Sequence, residues 1–210
     1  MKYQDFYDTN GHSYQEYDRS HKERFDFLIE DLKLNELKDK KIMDAGCGLG
    51  FIYHRLNPDI QKNYFGYDGA KMDNSPFEYR QVDLDSFSSG KERFFDVAFC
   101  FETLEHLTNP YSCLLEIKKS LKEDGVLYLS IPHQNTTHNT IYPGLLYPIQ
   151  NFVVFLNQMA FEIVDVKFHD KAFSQNVFTL NNKGWNQSQM LWRKDEEKFR
   201  NIPPHISINL

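Results

Sequence analysis

The sequence contains no apolar run of about 18 residues, the length a membrane-spanning helix needs. Its first residues, MKYQDFYDTNGHSYQEY, are polar and aromatic, with none of the apolar segment that a secretory signal carries. Cysteine is scarce: Cys47, Cys100 and Cys113 form no CxxC pair. A reduced, soluble protein of the cytoplasm is the simplest reading of these absences. A basic excess is lacking too. Twenty-four Lys and Arg stand against 30 Asp and Glu, for a net charge of −6, whereas a nucleic-acid binder needs a basic face to neutralise phosphates. The one local basic cluster, Lys118, Lys119 and Lys122, alternates with apolar residues at helical spacing and reads as a solvated helix face. No internal repeat or low-complexity linker divides the chain, and nothing in it chooses between a monomer and a homodimer.

What remains is a chain of 210 residues, 40% hydrophobic and 26% charged, enough for one compact α/β domain around a real core. It is rich in aromatics, with 18 Phe, 12 Tyr and 2 Trp, which suit a well-filled interior or a pocket for flat groups. After an irregular start, SHKERFDFLIEDLKL places Phe25, Leu28, Ile29 and Leu32 on one stripe of a helix with Ser20 as N-cap. Strand signals follow at 41–45, 63–68, 77–83, 94–101, 125–132, 161–168 and 176–181, with a clear helix over 111–125 ending at Gly125. This alternation predicts a doubly wound, mostly parallel seven-stranded sheet with helices on both faces. The last two strands are so close that an antiparallel hairpin at the sheet edge is expected. We divide the single domain into an N-terminal cap and helix (1–37), a core (38–182) and a C-terminal extension (183–210).

The most specific feature is IMDAGCGLGF. A strand runs into Asp44, then Gly46, Gly48 and Gly50 at alternate positions. Glycines let a chain turn sharply and let a ligand lie against bare backbone, and a helix start beyond them offers free N–H groups. The spacing is GxGxG and not the GxGxxG of dinucleotide binders. Asp44 just before the turn would repel a pyrophosphate and attract a cationic amine. That points to a cofactor carrying an amino acid, S-adenosylmethionine. Asp68, at the end of the next strand, is suited to accept from both ribose hydroxyls. Asp83, ending the third, is suited to accept from the adenine amino group, with Leu84 against the ring. Each acid alone reads as a turn residue or helix cap; in this order after a glycine turn they form a set.

On these residues, and on the run FDVAFCFETLEHLTNP…LLEIKKSLKEDGVLYLSIP, the chain resembles the class I S-adenosylmethionine-dependent methyltransferases over about residues 38–182. The resemblance implies a seven-stranded sheet whose last strand is antiparallel. It also implies a cofactor site made by Asp44, Gly46, Cys47, Gly48, Gly50, Asp68, Gly69, Asp83, Leu84, Cys100 and Phe101. One departure is KEDG at 122–125, where relatives often carry KPGG.

Methyl transfer needs alignment and exclusion of water, and a hydroxyl acceptor must also lose its proton. Glu102, Glu105 and His106 have helical spacing, so one turn starting at the end of the fourth strand would put them on one face. That run resembles ubiquinone-biosynthesis O-methyltransferases, where the set is associated with a divalent metal, Mg or Mn here; the same LEH run occurs in bacterial methyltransferases acting on sugars. Metal site, lone base and helix cap all remain open readings for it. His133, with His138 behind it, is a further candidate base after the fifth strand. Tyr3, Phe6, Tyr7, Tyr14 and Tyr17 suit a lid, and TIYPGLLYP the wall of an acceptor pocket. The expected function is methyl transfer to a small-molecule acceptor, at an oxygen of a sugar, capsule or quinone precursor. The alternatives are N-methylation, or a cofactor-binding module without turnover.

Overall fold

The computed structural model describes residues 34–132, 149–169 and 175–182, together with Lys22, Asp26, Leu28, Ile29 and Leu32. Seven strands occur there: β1 (Ile42–Ala45), β2 (Tyr64–Asp68), β3 (Glu78–Gln81), β4 (Phe95–Phe101), β5 (Leu121–Pro132), β6 (Phe161–His169) and β7 (Gln175–Asn182). They form one sheet in the order β3-β2-β1-β4-β5-β7-β6. The five strands from β3 to β5 pair in parallel, because each is reached by a crossover from the last. The short connection from β6 turns β7 back, so β7 lies antiparallel to both β5 and β6. The hairpin therefore docks through its second strand and leaves β6 at the edge.

Among the described residues, the sheet is accompanied by the α-helices α1 (Pro58–Gln61), α2 (Pro110–Ser120) and α3 (Ile149–Gln158). Pro110 opens α2 and the Asn109 side chain caps it by accepting from the Ser112 N–H. The helix stops at Ser120, before Gly125. Leu121 is already extended and paired with Phe95, and the register of β4 on β5 resumes only at Val97 and Val126. Burying Leu121, 1% exposed, outweighs the glycine stop signal, and residues 122–125 become an irregularity inside β5.

Alternation along the strands sorts two cores. On one face Met43, Ala45, Ala98, Leu127 and Leu129 meet Cys113, Leu114 and Ile117 of α2 and Phe152 and Leu156 of α3. On the other, Ile42, Tyr64, Phe99 and Tyr128 meet Phe51, Ile52, Leu56 and Ile60, with Leu28 and Leu32. Lys22, Asp26, Leu28 and Ile29 are helical, and Leu28 and Leu32 are buried on this second face. The other residues of the helix expected from Ser20 lie outside the described ones, as does the extension 183–210. Among the described residues, no helix is long and apolar enough to cross a membrane.

Candidate cofactor and acceptor site

Strand order reverses between β1 and β4, and the crevice beyond the carboxyl ends of strands at such a point is where open α/β sheets bind ligands. β1 delivers the glycine turn there. Gly46, Gly48 and Gly50 take φ values of 87°, 52° and 82°, the left-handed region that side chains disfavour. The N–H groups of Gly46 and Cys47 both reach the Tyr67 carbonyl, at 2.8 and 3.3 Å. A Cβ on Gly46 would overlap the Thr103 hydroxyl and come within 2.8 Å of the Thr103 Cβ. The expected helix after the turn shrinks to one i→i−4 bond, from His54 N–H to Gly50, among tighter i→i−3 bonds from Gly50 N–H to Cys47 and from Arg55 N–H to Ile52. A 3-10 turn over Tyr53–Arg55 precedes the single turn of α1.

Asp68 ends β2 with no exposure. Its two oxygens accept from the N–H groups of Gly48 and Ala70, each at 2.8 Å, so it braces the turn. Burial raises its pKa, while the amide bonds from Ala70, Gly48 and Gly69 pull the other way. A carboxylate has about four lone-pair positions, so bracing the turn leaves capacity for a ligand's hydroxyls. Tyr79 and Gln81 of β3 steady the segment after Asp68: the Tyr79 hydroxyl donates to the Ala70 carbonyl and the Gln81 amide to that of Gly69, the latter at 3.1 Å.

Asp44, two places before Gly46, is 2% exposed and accepts from the Tyr64 hydroxyl. Burial pushes its pKa up to about 7; the Tyr64 bond opposes this and the Asp68 charge adds to it. Burial and the two carboxylates also push the Cys47 thiol well up, which leaves it no thiolate character near neutral pH. Asp83 is exposed and accepts from the Asp85 N–H at 3.0 Å, capping a 3-10 turn over Leu84–Ser86. The Leu84 side chain belongs to the core on the α2 face, as does that of Cys100, whereas Phe101 is on the opposite face. The Cys100 side chain is thus turned into that core.

Beyond β4 the chain departs from the expected helical turn. Glu102 adopts φ 48°. Its N–H donates to the Ser130 carbonyl and hydroxyl, at 3.2 and 3.1 Å, and the Ser130 hydroxyl donates to its carboxylate at 2.8 Å. A 3-10 turn over Leu104–His106 follows. Glu105 is fully buried, with an oxygen 3.8 Å from His106 Nε2. The left-handed residue and the tighter turn separate Glu102 from the other two. Among the described residues, no group of three His, Cys, Asp or Glu side chains is arranged to hold a metal ion. The expected Mg or Mn set of Glu102, Glu105 and His106 is corrected accordingly. His133, His138, the aromatic lid residues and the TIYPGLLYP wall lie outside the described residues.

Sequence reasoning missed Tyr64, Thr103, Tyr79 and Ser130, each of which fixes a residue it did find. Bare backbone at the turn and two buried carboxyl groups fit a ligand that offers hydroxyls and a cationic amine.

A family model described as a methyltransferase domain matches residues 14–195. The ubiquinone biosynthesis O-methyltransferase of Actinobacillus pleuropneumoniae serotype 7 is 31% identical over 125 residues, 51% of each chain. The chain spans about half the length of the curated relatives it matches. Among solved structures, 1,6-didemethyltoxoflavin-N1-methyltransferase of Burkholderia thailandensis, with bound S-adenosylhomocysteine, superposes with a TM-score of 0.59 at 15% identity over 76% of this chain and 78% of that one. Magnesium protoporphyrin IX methyltransferase from Synechocystis, also with S-adenosylhomocysteine, gives 0.59 at 16% identity over 85% and 96%. At such identities these two structures speak to the fold alone.

Proposed function

The chain belongs to the methyltransferase-domain family, and from that premise we propose that it binds S-adenosylmethionine and methylates an oxygen of a small-molecule acceptor. A sugar, capsule or quinone precursor is the acceptor class. The observation that carries the reading is the glycine turn braced by Asp68 and adjoined by the buried Asp44. Asp68 would hold the ribose hydroxyls and Asp44 the ammonium group. The bare backbone of Gly46, Cys47, Gly48, Gly50 and Gly69 would lie along the ligand, with Asp83 and the Leu84 backbone toward the base and Cys100 and Phe101 forming a wall. When bound, the cofactor supplies a methyl group activated by a sulfonium. Glu102 is held by Ser130 at the carboxyl end of β4, where its carboxylate would take the proton of the acceptor hydroxyl; His106 and His133 are the other candidate bases. The 31% identity to an O-methyltransferase over half of each chain supports oxygen as the acceptor atom.

Calorimetry with S-adenosylhomocysteine tests the cofactor assignment, and no binding at millimolar ligand overturns it. Asp68→Ala should weaken that binding by about 1–3 kcal/mol; unchanged affinity would remove its ribose role. Turnover across sugar and dihydroxyphenyl acceptors, followed by release of S-adenosylhomocysteine, separates an enzyme from a binding module.

A further inference from the structure

Asp44 and Asp68 lie buried on one face of adjacent strands, since Asp44 pairs with Gly66 and Asp68 stands two residues further on. The ion pairs among the described residues run elsewhere, as from Lys122 to Asp96 and Arg55 to Asp26. The two carboxyl groups are held differently. Asp68 is tied to backbone amides. Asp44 is tied to a side chain, the phenol of Tyr64. That phenol is itself fixed: Tyr64 is 2% exposed and its ring sits 5.3 Å from Tyr53 and 5.0 Å from Phe77, centre to centre. Among the described residues, the titratable groups acting on Asp44 are Tyr64 and Asp68 of β2, Cys47 of the turn and Cys100 of β4. None of them is a cation.

We propose that Tyr64 is a positioning residue of this site, holding Asp44 for the ammonium group of the cofactor's amino-acid end, and that entry of that ammonium is coupled to release of a proton from Asp44. The inference rests on the cofactor reading above. Its physical basis is desolvation. A buried carboxyl group with no cation beside it keeps its proton to unusually high pH, and burial takes Asp44 to about 7. An arriving ammonium reverses the balance: the neutral acid and the ammonium become a carboxylate–ammonium pair, and one proton leaves for solvent. The Tyr64 hydroxyl favours the charged form by donating to it, so it lowers the pH at which the exchange becomes free.

The experiment is calorimetry on the whole protein with S-adenosylhomocysteine, between about pH 5.5 and 8.5, in buffers of different ionisation enthalpy. Below neutrality the affinity should rise roughly tenfold per pH unit, with close to one proton released, and level off above about pH 8. 5′-Methylthioadenosine, which keeps the nucleoside and lacks the amine, should bind with neither effect. Tyr64→Phe should weaken S-adenosylhomocysteine binding roughly tenfold near pH 6.5, move the inflection to higher pH and converge on the unmodified protein by about pH 8.5. Asp44→Asn should abolish the pH dependence and, combined with Tyr64→Phe, show no further loss. Equal weakening by Tyr64→Phe at every pH, and for both ligands, would reduce Tyr64 to packing and overturn its role. Should Tyr64→Phe not fold, the proton count and Asp44→Asn decide. Binding of S-adenosylhomocysteine without proton release overturns the coupling and leaves the cofactor reading standing; no binding of either ligand overturns the cofactor reading itself.

Discussion

The face of the sheet that packs α2 and α3 and the face that carries Asp44 are made by the same strands, yet they hold together differently. The first is a continuous apolar cluster from Met43 to Leu180 in which Leu114, Ile117, Phe152 and Leu156 are wholly buried. Its stability comes mainly from area removed from water and is spread over many contacts, and the few polar side chains it buries, Ser89, Ser120 and Asn182, pair at its margin beside α2. The second face also buries apolar side chains, but toward the crevice it buries Asp44, Asp68 and Ser130 as well. Each of those polar groups has a specific donor or acceptor, because a buried polar group left unpaired costs about 1–3 kcal/mol. The lesson is that the fold's tolerance and its chemistry are segregated across one layer of backbone.

Substitutions on the two faces should therefore break different properties. Leu114→Ala should cost about 2–5 kcal/mol of stability while leaving S-adenosylhomocysteine affinity within about twofold; urea unfolding and calorimetry read the two separately. Gly46→Ala should cost about as much, through overpacking (about 1–3 kcal/mol) and left-handed strain (about 1–2 kcal/mol), and should abolish ligand binding as well. Adding Thr103→Ala should recover only part of the overpacking, since it removes the Thr103 hydroxyl and methyl and leaves its Cβ within 2.8 Å.

The pH dependence of stability sharpens the comparison further. Asp44 has a raised pKa of about 7 against an ordinary 3.8. The folded state holds its proton longer, so this group's contribution is full below about pH 4 and declines as pH rises through 7. Lys118 of α2 is the opposite case. Its ammonium donates to Asn182 Oδ1 at 2.6 Å and to the Ala160 carbonyl at 3.2 Å, under the Phe161 ring, and burial lowers its pKa to about 8 from 10.5. The unfolded chain then binds the proton more tightly, so the Lys118 contribution rises between about pH 8 and 10.5. In urea unfolding across pH, Asp44→Asn should flatten the first slope and Lys118→Met the second. The smallest expected effect is Ser130→Ala, about 1 kcal/mol: a several-fold loss of turnover with S-adenosylhomocysteine affinity unchanged.

What was legible in the sequence was local. Glycine spacing after an apolar strand is written in consecutive residues, and so is the alternation that sets the seven strands and the closeness of β6 to β7. The partners of the site residues are not local. Tyr64 precedes Asp68 in a strand that reads as plain core, Thr103 meets Gly46 from the far side of β4, and Ser130 meets Glu102 from β5. Nothing in their own neighbourhoods marks them. Two of the misreadings have the same origin. The glycine at 125 suggested a helix end that pairing of Leu121 with Phe95 overrides, and the spacing of Glu102, Glu105 and His106 suggested one helical face that φ 48° at Glu102 disperses.

Gly66 lies in the middle of β2, outside the glycine turn, and a Cβ there would overlap the Phe77 ring and come within 2.8 Å of Cys47 Sγ. Phe77 thus reaches through the strand's missing side chain to touch the same wall as the turn. Glycine at 66 and an aromatic ring at 77 are a lock and its key: a methyl group at the first forces a smaller residue at the second. Gly66→Ala alone should then be as poorly tolerated in a selection for folded, ligand-binding protein as changes inside the motif, and Phe77→Leu should restore it in part, the contact with Cys47 Sγ remaining. A sequence pattern drawn to find this site elsewhere should extend past its three glycines to include that pair.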